Sequence, residues 1–230
     1  MLGEQKANIN AAMATALLQN FRFQLPELQA PEVSPTGIAA FDRAFDGIPR
    51  GVVTDLYGPA SSGRTSLAFA FMAQATAREE FCVLVDASDV FDPESAAKAG
   101  VALERLLWIR CRGNTEHALK ATDLVLQAGG FGVVVMDLGD IAPETARRIS
   151  LASWYRLRRA IEHTPTALVV IERSPLARPC AALAVEFTKS RIAWSGAPGC
   201  SQLLRGMEFH AERRKPLRPA AANFETPALR

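Results

Sequence analysis

Gly58-Pro59-Ala60-Ser61-Ser62-Gly63-Arg64-Thr65 lies between a short apolar run, Val52 to Tyr57, and a segment with helical spacing, Ser66 to Arg78. A strand, a glycine-bearing loop and a helix in that order form a phosphate-binding arrangement. The glycines let the backbone curl so that several N–H groups and a helix N-terminus face one anion. Thr65 would offer its hydroxyl to a Mg²⁺ ion. One position departs from the pattern, because Arg64 stands where a lysine belongs. Its charge is kept, but a forked, planar guanidinium does not replace a compact ammonium. A glycine-rich turn with no ligand is the competing reading of the same residues.

Outward from the loop, strands and helices alternate. Phe81 to Val85 reads as a strand, Pro93 to Ala99 as a helix, Leu106 to Arg110 as a strand and Thr115 to Ala128 as a helix. Phe131 to Met136 is a continuous apolar run, the mark of a strand buried on both faces. Asp137 ends that run, where a carboxylate at the C-terminal end of a parallel strand faces the ligand crevice and can hold Mg²⁺. Ala146 to His163 reads as one arginine-rich helix, Ala167 to Ile171 and Leu183 to Phe187 as strands, and Leu203 to Glu212 as a last strand. The expected fold class is α/β, a mainly parallel sheet covered by helices on both faces.

Composition sets the bounds. The chain has 230 residues, 49% apolar and 22% charged, the mix of a globular protein. No stretch approaches the ~20 apolar residues of a membrane span. The first residues lack the order of a secretory signal, so a cytoplasmic protein is expected. Cys82, Cys111, Cys180 and Cys200 are too scattered for a disulfide scaffold or a zinc site and read as reduced thiols. His117, His163 and His210 have no ligand-spaced neighbours. Charge is uneven: residues 1–140 carry 11 Lys or Arg against 17 Asp or Glu, and residues 141–230 carry 15 against 7. A basic half suits an anionic partner, and it equally suits a solvated helix.

The ends divide the chain into three expected parts. Residues 1–35 hold an N-terminal helix over 5–20 and a connector with Pro26, Pro31 and Pro35; residues 36–212 form the compact core; residues 213–230, rich in proline and opened by Arg213-Arg214-Lys215, form a basic disordered tail.

Several stretches resemble the RecA recombinase core. They are Thr36-Gly37-Ile38, Gly47-Ile48-Pro49-Arg50-Gly51, Asp55-Leu56-Tyr57-Gly58-Pro59-Ala60-Ser61-Ser62-Gly63, and Asp86-Ala87 followed by Asp92-Pro93 and Gly100-Val101. The resemblance covers roughly residues 36–195. It implies a RecA-like ATPase fold, with ATP and Mg²⁺ as cofactors held by Gly58, Ser61, Ser62, Gly63, Arg64, Thr65, Ser66, Asp92 and Asp137. Within it, Asp92 would accept from the adenine amino group, and Thr65 and Asp137 would hold the metal.

Three departures weaken that implication. The family's water-positioning Glu is Ser88 here, its adenine-stacking aromatic is Ser95, and the strand that ends in a phosphate-sensing Gln ends in Glu172-Arg173. The segment Ser174 to Cys180 is short where the family grips DNA. A hydroxyl without an activating neighbour is no base at neutral pH.

Thr36-Gly37-Ile38-Ala39-Ala40-Phe41-Asp42, Leu84-Val85-Asp86-Ala87-Ser88-Asp89 and Gln127-Ala128-Gly129-Gly130-Phe131-Gly132 resemble the ImuA family, RecA-related accessory proteins of a bacterial mutagenic cassette. That resemblance implies a non-catalytic scaffold in the DNA-damage (SOS) response that supports translesion synthesis. Its partners would be an inactive Y-family polymerase paralogue and an error-prone replicative-type polymerase. A DNA-dependent ATPase and a SulA-like cell-division inhibitor remain alternatives.

For DNA or partner contact, the candidates are Arg147, Arg148, Arg156 and Arg159 with Trp154 and Tyr155 among them, and Arg213, Arg214 and Lys215. Arginine at spacings of three and four presents one helix face to phosphates, and interleaved aromatics suit single-stranded bases. The competing reading is a solvated face with both aromatics in the core. The N-terminal helix is a candidate for self-association.

Overall fold

The computed structural model describes residues 31–177, 179–195 and 203–227. Along the chain run β1 (Val33–Ser34), α1 (Ala39–Phe45), β2 (Ile48–Pro49), β3 (Val53–Tyr57), α2 (Arg64–Ala77), β4 (Cys82–Asp86), α3 (Pro93–Lys98), β5 (Leu106–Arg110), α4 (Thr115–Ala128), β6 (Val133–Asp137), α5 (Pro143–Ala146), α6 (Leu151–Ile161), β7 (Ala167–Glu172), β8 (Leu183–Ser195), β9 (Leu203–Lys215) and β10 (Ala221–Pro227). The expected helix over 5–20 and Cys200 lie outside the described residues.

Eight strands form one sheet in the order β10-β9-β8-β3-β7-β6-β4-β5. The pairs from β8 through β3, β7, β6 and β4 to β5 are all parallel, while β9 and β10 are antiparallel. Parallel strands need crossovers, and the α-helices between them cover both faces. One face packs α2 (Leu67, Phe71, Met72) on Leu56, Leu84, Val135 and Val169. The other packs α4 and α6 (Leu126, Trp154, Leu157, Ile161) on Val53, Val83, Val134 and Val170. This is the expected α/β core. Among the described residues, no helix is long and apolar enough to cross a membrane.

Arg50 fastens the edge of the core opposite the phosphate loop. Its guanidinium donates to the carbonyls of Gly132 and Pro165 and, at 2.8 Å, to Glu80, so one cation ties three segments distant in sequence. Near it, Asp42 closes the entry to α1: its carboxylate accepts from the Thr36 hydroxyl and from the Thr36 and Gly37 amides.

Two expectations are corrected. Ala146 to His163 is not one helix. Pro143 starts α5, and Ser150 caps a new helix by accepting from the Ser153 amide. A serine at such a position satisfies amides that a continuous helix would use internally. Within residues 213–227 there is no disordered tail either. Arg213 to Lys215 complete β9, and β10 follows, with Ala222 and Phe224 buried on alternate positions. Phe224 lies edge-on to Phe187 and tilted against Phe209, so the last strand is held by an aromatic cluster.

Candidate functional site

Strand β3 delivers Gly58 to the C-terminal edge of the sheet, and α2 begins at Arg64. The Gly58 amide donates to the Glu172 carbonyl at 3.2 Å, pinning the loop to the end of β7. Two glycines are sterically required. A Cβ at Gly58 would lie 2.2 Å from the Phe187 carbonyl oxygen, and one at Gly63 would lie 2.6 Å from the Phe209 ring. Both have positive φ, as does Ser61 at the tip of the loop. The loop therefore curls over a backing of β8 and β9. Among the described residues, the backbone N–H groups of 60–66 meet no protein acceptor. Ser62 is buried and its hydroxyl has no partner either. Unpaired donors gathered at a helix start form an anion nest, and the loop fits phosphate.

The cation side of the site is different. Arg64 is 6% exposed and does not reach outward. Its Nη1 donates to the Glu172 carbonyl, tucked beneath the loop. A Cβ built on Gly139 would lie 2.9 Å from Asp137 Oδ1 and 3.7 Å from Arg64 Nη1, so guanidinium and carboxylate bound one small space. Burial pushes the Arg64 pKa down, against the attraction of Asp137 and Asp140. Burial likewise pushes the Asp137 carboxyl up to about 6, opposed by the Gly139 amide and by Arg64. Thr65, at the start of α2, is exposed. The two residues expected to hold Mg²⁺, Thr65 and Asp137, are thus at the start of α2 and the end of β6, and the buried Arg64 guanidinium flanks the space beside the carboxylate.

The end of β4 carries the missing chemistry. Asp86 pairs in register with Asp137 on β6, which brings Ser88 to the same edge of the sheet. The Ser88 hydroxyl has no hydrogen-bond partner. The acids around it are engaged. Asp86 accepts from the amides of Asp89, Val90 and Phe91 and from the Trp108 indole, and Asp89 is paired with Arg110. Asp92 caps α3, accepting from the amides of Glu94 and Ser95 and from the Ser95 hydroxyl, so both its oxygens already serve the helix.

A buried carboxyl pair was not visible in the sequence. Glu172 accepts from the Ala177 amide at 2.8 Å and from Leu176, and it shares a hydrogen bond with Asp55. Two carboxyl groups can bond only if one keeps its proton. Burial pushes Glu172 up to about 7, against the Ala177 and Leu176 amides and the bond from Asp55, which favour its carboxylate. By strand alternation Asp55 and Glu172 project with Val53 and Val170, toward the face covered by α6 and away from α2 and the loop. Glu172 is therefore no substitute for the missing base.

The basic candidates do not gather into one patch. Arg147 and Arg148 lie in the turn before α6 and are exposed. Arg148 lines, with Arg112, Asn114 and Ser150, a cleft of about 680 Å³. Arg156 faces Asp123 at 3.5 Å, and Arg159 is exposed on α6. Trp154 is buried and Tyr155 is exposed, so only one of the two aromatics turns inward. The second run is committed to the fold, which corrects its reading as an open patch. Arg213 donates to the Ala44 carbonyl over the Phe45 ring, Arg214 pairs with Glu186 and Glu212, and Lys215 donates to the Pro179 carbonyl. The described cysteines, Cys82, Cys111 and Cys180, are free and buried.

Comparison with known proteins agrees with this geometry. The RecA N-terminal domain family model matches residues 23–147. Protein RecA of Deinococcus radiodurans is 33% identical over 158 residues, covering 62% of this chain and 43% of that protein. Protein RecA of Mesorhizobium japonicum is 33% identical over the same length, and that of an Arthrobacter species is 40% identical over 114 residues, covering 48% of this chain and 32% of the relative. The chain thus matches less than half the length of these relatives. With a phosphate loop, a strand-end aspartate and a parallel core in matching order, the chain belongs to the RecA N-terminal domain family.

Proposed function

We propose that the protein is a non-hydrolytic RecA-like scaffold of the DNA-damage response, one that supports error-prone translesion synthesis by binding polymerases. The observation that carries this reading is the end of β4, where Ser88 presents an unpartnered hydroxyl in place of a carboxylate and every nearby acid is already bonded. Hydrolysis needs a group that orients and deprotonates water, and such assistance is worth about 10²–10⁴-fold in rate. The phosphate nest is kept while the base is gone, a combination suited to binding rather than turnover. ATP held by residues 58–66 would supply a fixed polyanion that stiffens the loop; Asp92, bonded within α3, would add little to base recognition.

The partners implied are the inactive Y-family polymerase paralogue and an error-prone replicative polymerase, with DNA as a further candidate at the exposed Arg147, Arg148 and Arg159. Residues 5–23 would act as an arm for self-association or for a partner. A DNA-dependent ATPase is the second reading, favoured by the intact nest of amides. Sedimentation of the purified chain with each polymerase, with and without ATP and single-stranded DNA, tests the scaffold. A stable complex formed without ATP turnover is expected. Failure to bind either polymerase, together with DNA-stimulated turnover, would contradict the proposal.

A further inference from the structure

We infer that the phosphate loop takes a polyphosphate without a divalent cation, because the buried Arg64 guanidinium flanks the small space in front of the Asp137 carboxylate. The inference rests on the non-hydrolytic reading of this site and specifies its ligand.

Three observations converge. The donors of residues 60–66 and the buried Ser62 hydroxyl are unpaired among the described residues, so the nest requires an anion to satisfy it. Eight loop residues wrap more than one phosphate group, which points to a di- or triphosphate rather than a lone oxyanion. The cation that faces the strand-end carboxylate is already built in. Arg64 is buried, bonded to the Glu172 carbonyl, and lies with Asp137 Oδ1 around the same point next to Gly139.

A Mg²⁺ ion held by Asp137 would have to enter this space against a fixed positive charge. A guanidinium cannot lose its proton to relieve the repulsion, and its planar fork swings away only by giving up its buried bond to the Glu172 carbonyl. Metal-free polyphosphate suits the site better. It carries more negative charge than its Mg²⁺ complex, and it meets the amides and the α2 N-terminus directly. Ser95 offers no ring for a base to stack on, so recognition falls on the phosphates.

The test is calorimetric titration of the full chain with ATP, once in EDTA and once in excess Mg²⁺, followed by competition with inorganic tripolyphosphate. Binding in EDTA at least as tight as in Mg²⁺, displaced by tripolyphosphate, is expected. Arg64→Lys should reverse the order, with Mg²⁺ tightening binding by about tenfold or more. If that variant does not fold, Mn²⁺ paramagnetic resonance of the wild-type chain with ATP decides: no protein-bound Mn²⁺ signal should appear, only Mn²⁺-ATP and aqueous Mn²⁺. Binding that strengthens about tenfold with Mg²⁺, a protein-bound Mn²⁺ signal, absence of binding in EDTA, or failure of tripolyphosphate to compete would each overturn the inference. Phosphate release measured in the same Mg²⁺ samples separates the two readings. Mg²⁺-strengthened binding without release defeats this inference alone, and release defeats the scaffold as well.

Discussion

The phosphate loop and the end of β4 lie on the same edge of one sheet, and they differ in what they retain. The loop keeps its glycines, its unpaired amides and its backing by Phe187 and Phe209. The end of β4 holds its backbone by four bonds to Asp86 and presents Ser88, a hydroxyl without a partner. Backbone geometry in the loop is tied to packing behind it, because any side chain at Gly58 or Gly63 meets strands β8 and β9. The side chain at 88 is tied to nothing, since its hydroxyl has no partner. A substitution in the loop must disturb the packing behind it, whereas one at Ser88 touches only the chemistry of the edge.

The largest expected effect comes from breaking the packed side of this comparison. Gly63→Val puts branched carbons into the Phe209 ring at a positive φ and should cost about 3 kcal/mol or more, read as a fall in thermal midpoint. If stability were unchanged, the loop would not be fastened by β9 at all.

Phe224→Ala tests whether β10 belongs to the same support. Removing a ring that touches Phe187 and Phe209 should cost about 3 kcal/mol, while a tail would lose almost nothing.

The buried carboxyl pair gives a smaller, pH-dependent effect. Folding raises Glu172 from the ordinary 4.5 to about 7, so the folded chain holds this proton more tightly than the unfolded chain. Its contribution is greatest below about pH 4.5 and is lost as pH rises to about 7, an effect on the order of 3 kcal/mol. Glu172→Gln should reduce that slope in denaturant titrations. Asp137, raised to about 6 by burial, supplies what slope remains. An unaltered slope in the variant would mean that Glu172 is ionised throughout.

Smallest is Arg214→Ala. Its two solvent-screened ion pairs should leave the thermal midpoint almost unchanged. A larger loss would make the β8–β9 ribbon depend on charge rather than on its aromatic cluster.

The same contrast explains what the sequence makes legible. Val133 to Met136 and Ala167 to Ile171 are apolar without interruption, and both are central parallel strands. The loop is readable because glycine spacing encodes backbone shape. Where the outcome depends on a side chain's direction, the sequence is silent. Arg64 reads as a phosphate ligand and lies beneath the loop instead. Asp55 and Glu172 meet only because β3 and β7 pair in register. The break at Ser150 is local competition between a cap and a continuing helix. In the last strand the alternation of Ala222 and Phe224 is present, but Pro216 and Pro219 and the basic run before it obscure the signal.

The central claim is that this member of the family binds through its loop and does not hydrolyse. Its most direct test is phosphate release from ATP by the purified chain, with and without single-stranded DNA and with a Thr65→Ala comparison. The account predicts release no faster than the Thr65→Ala variant under every condition. DNA-stimulated release abolished by Thr65→Ala would contradict it.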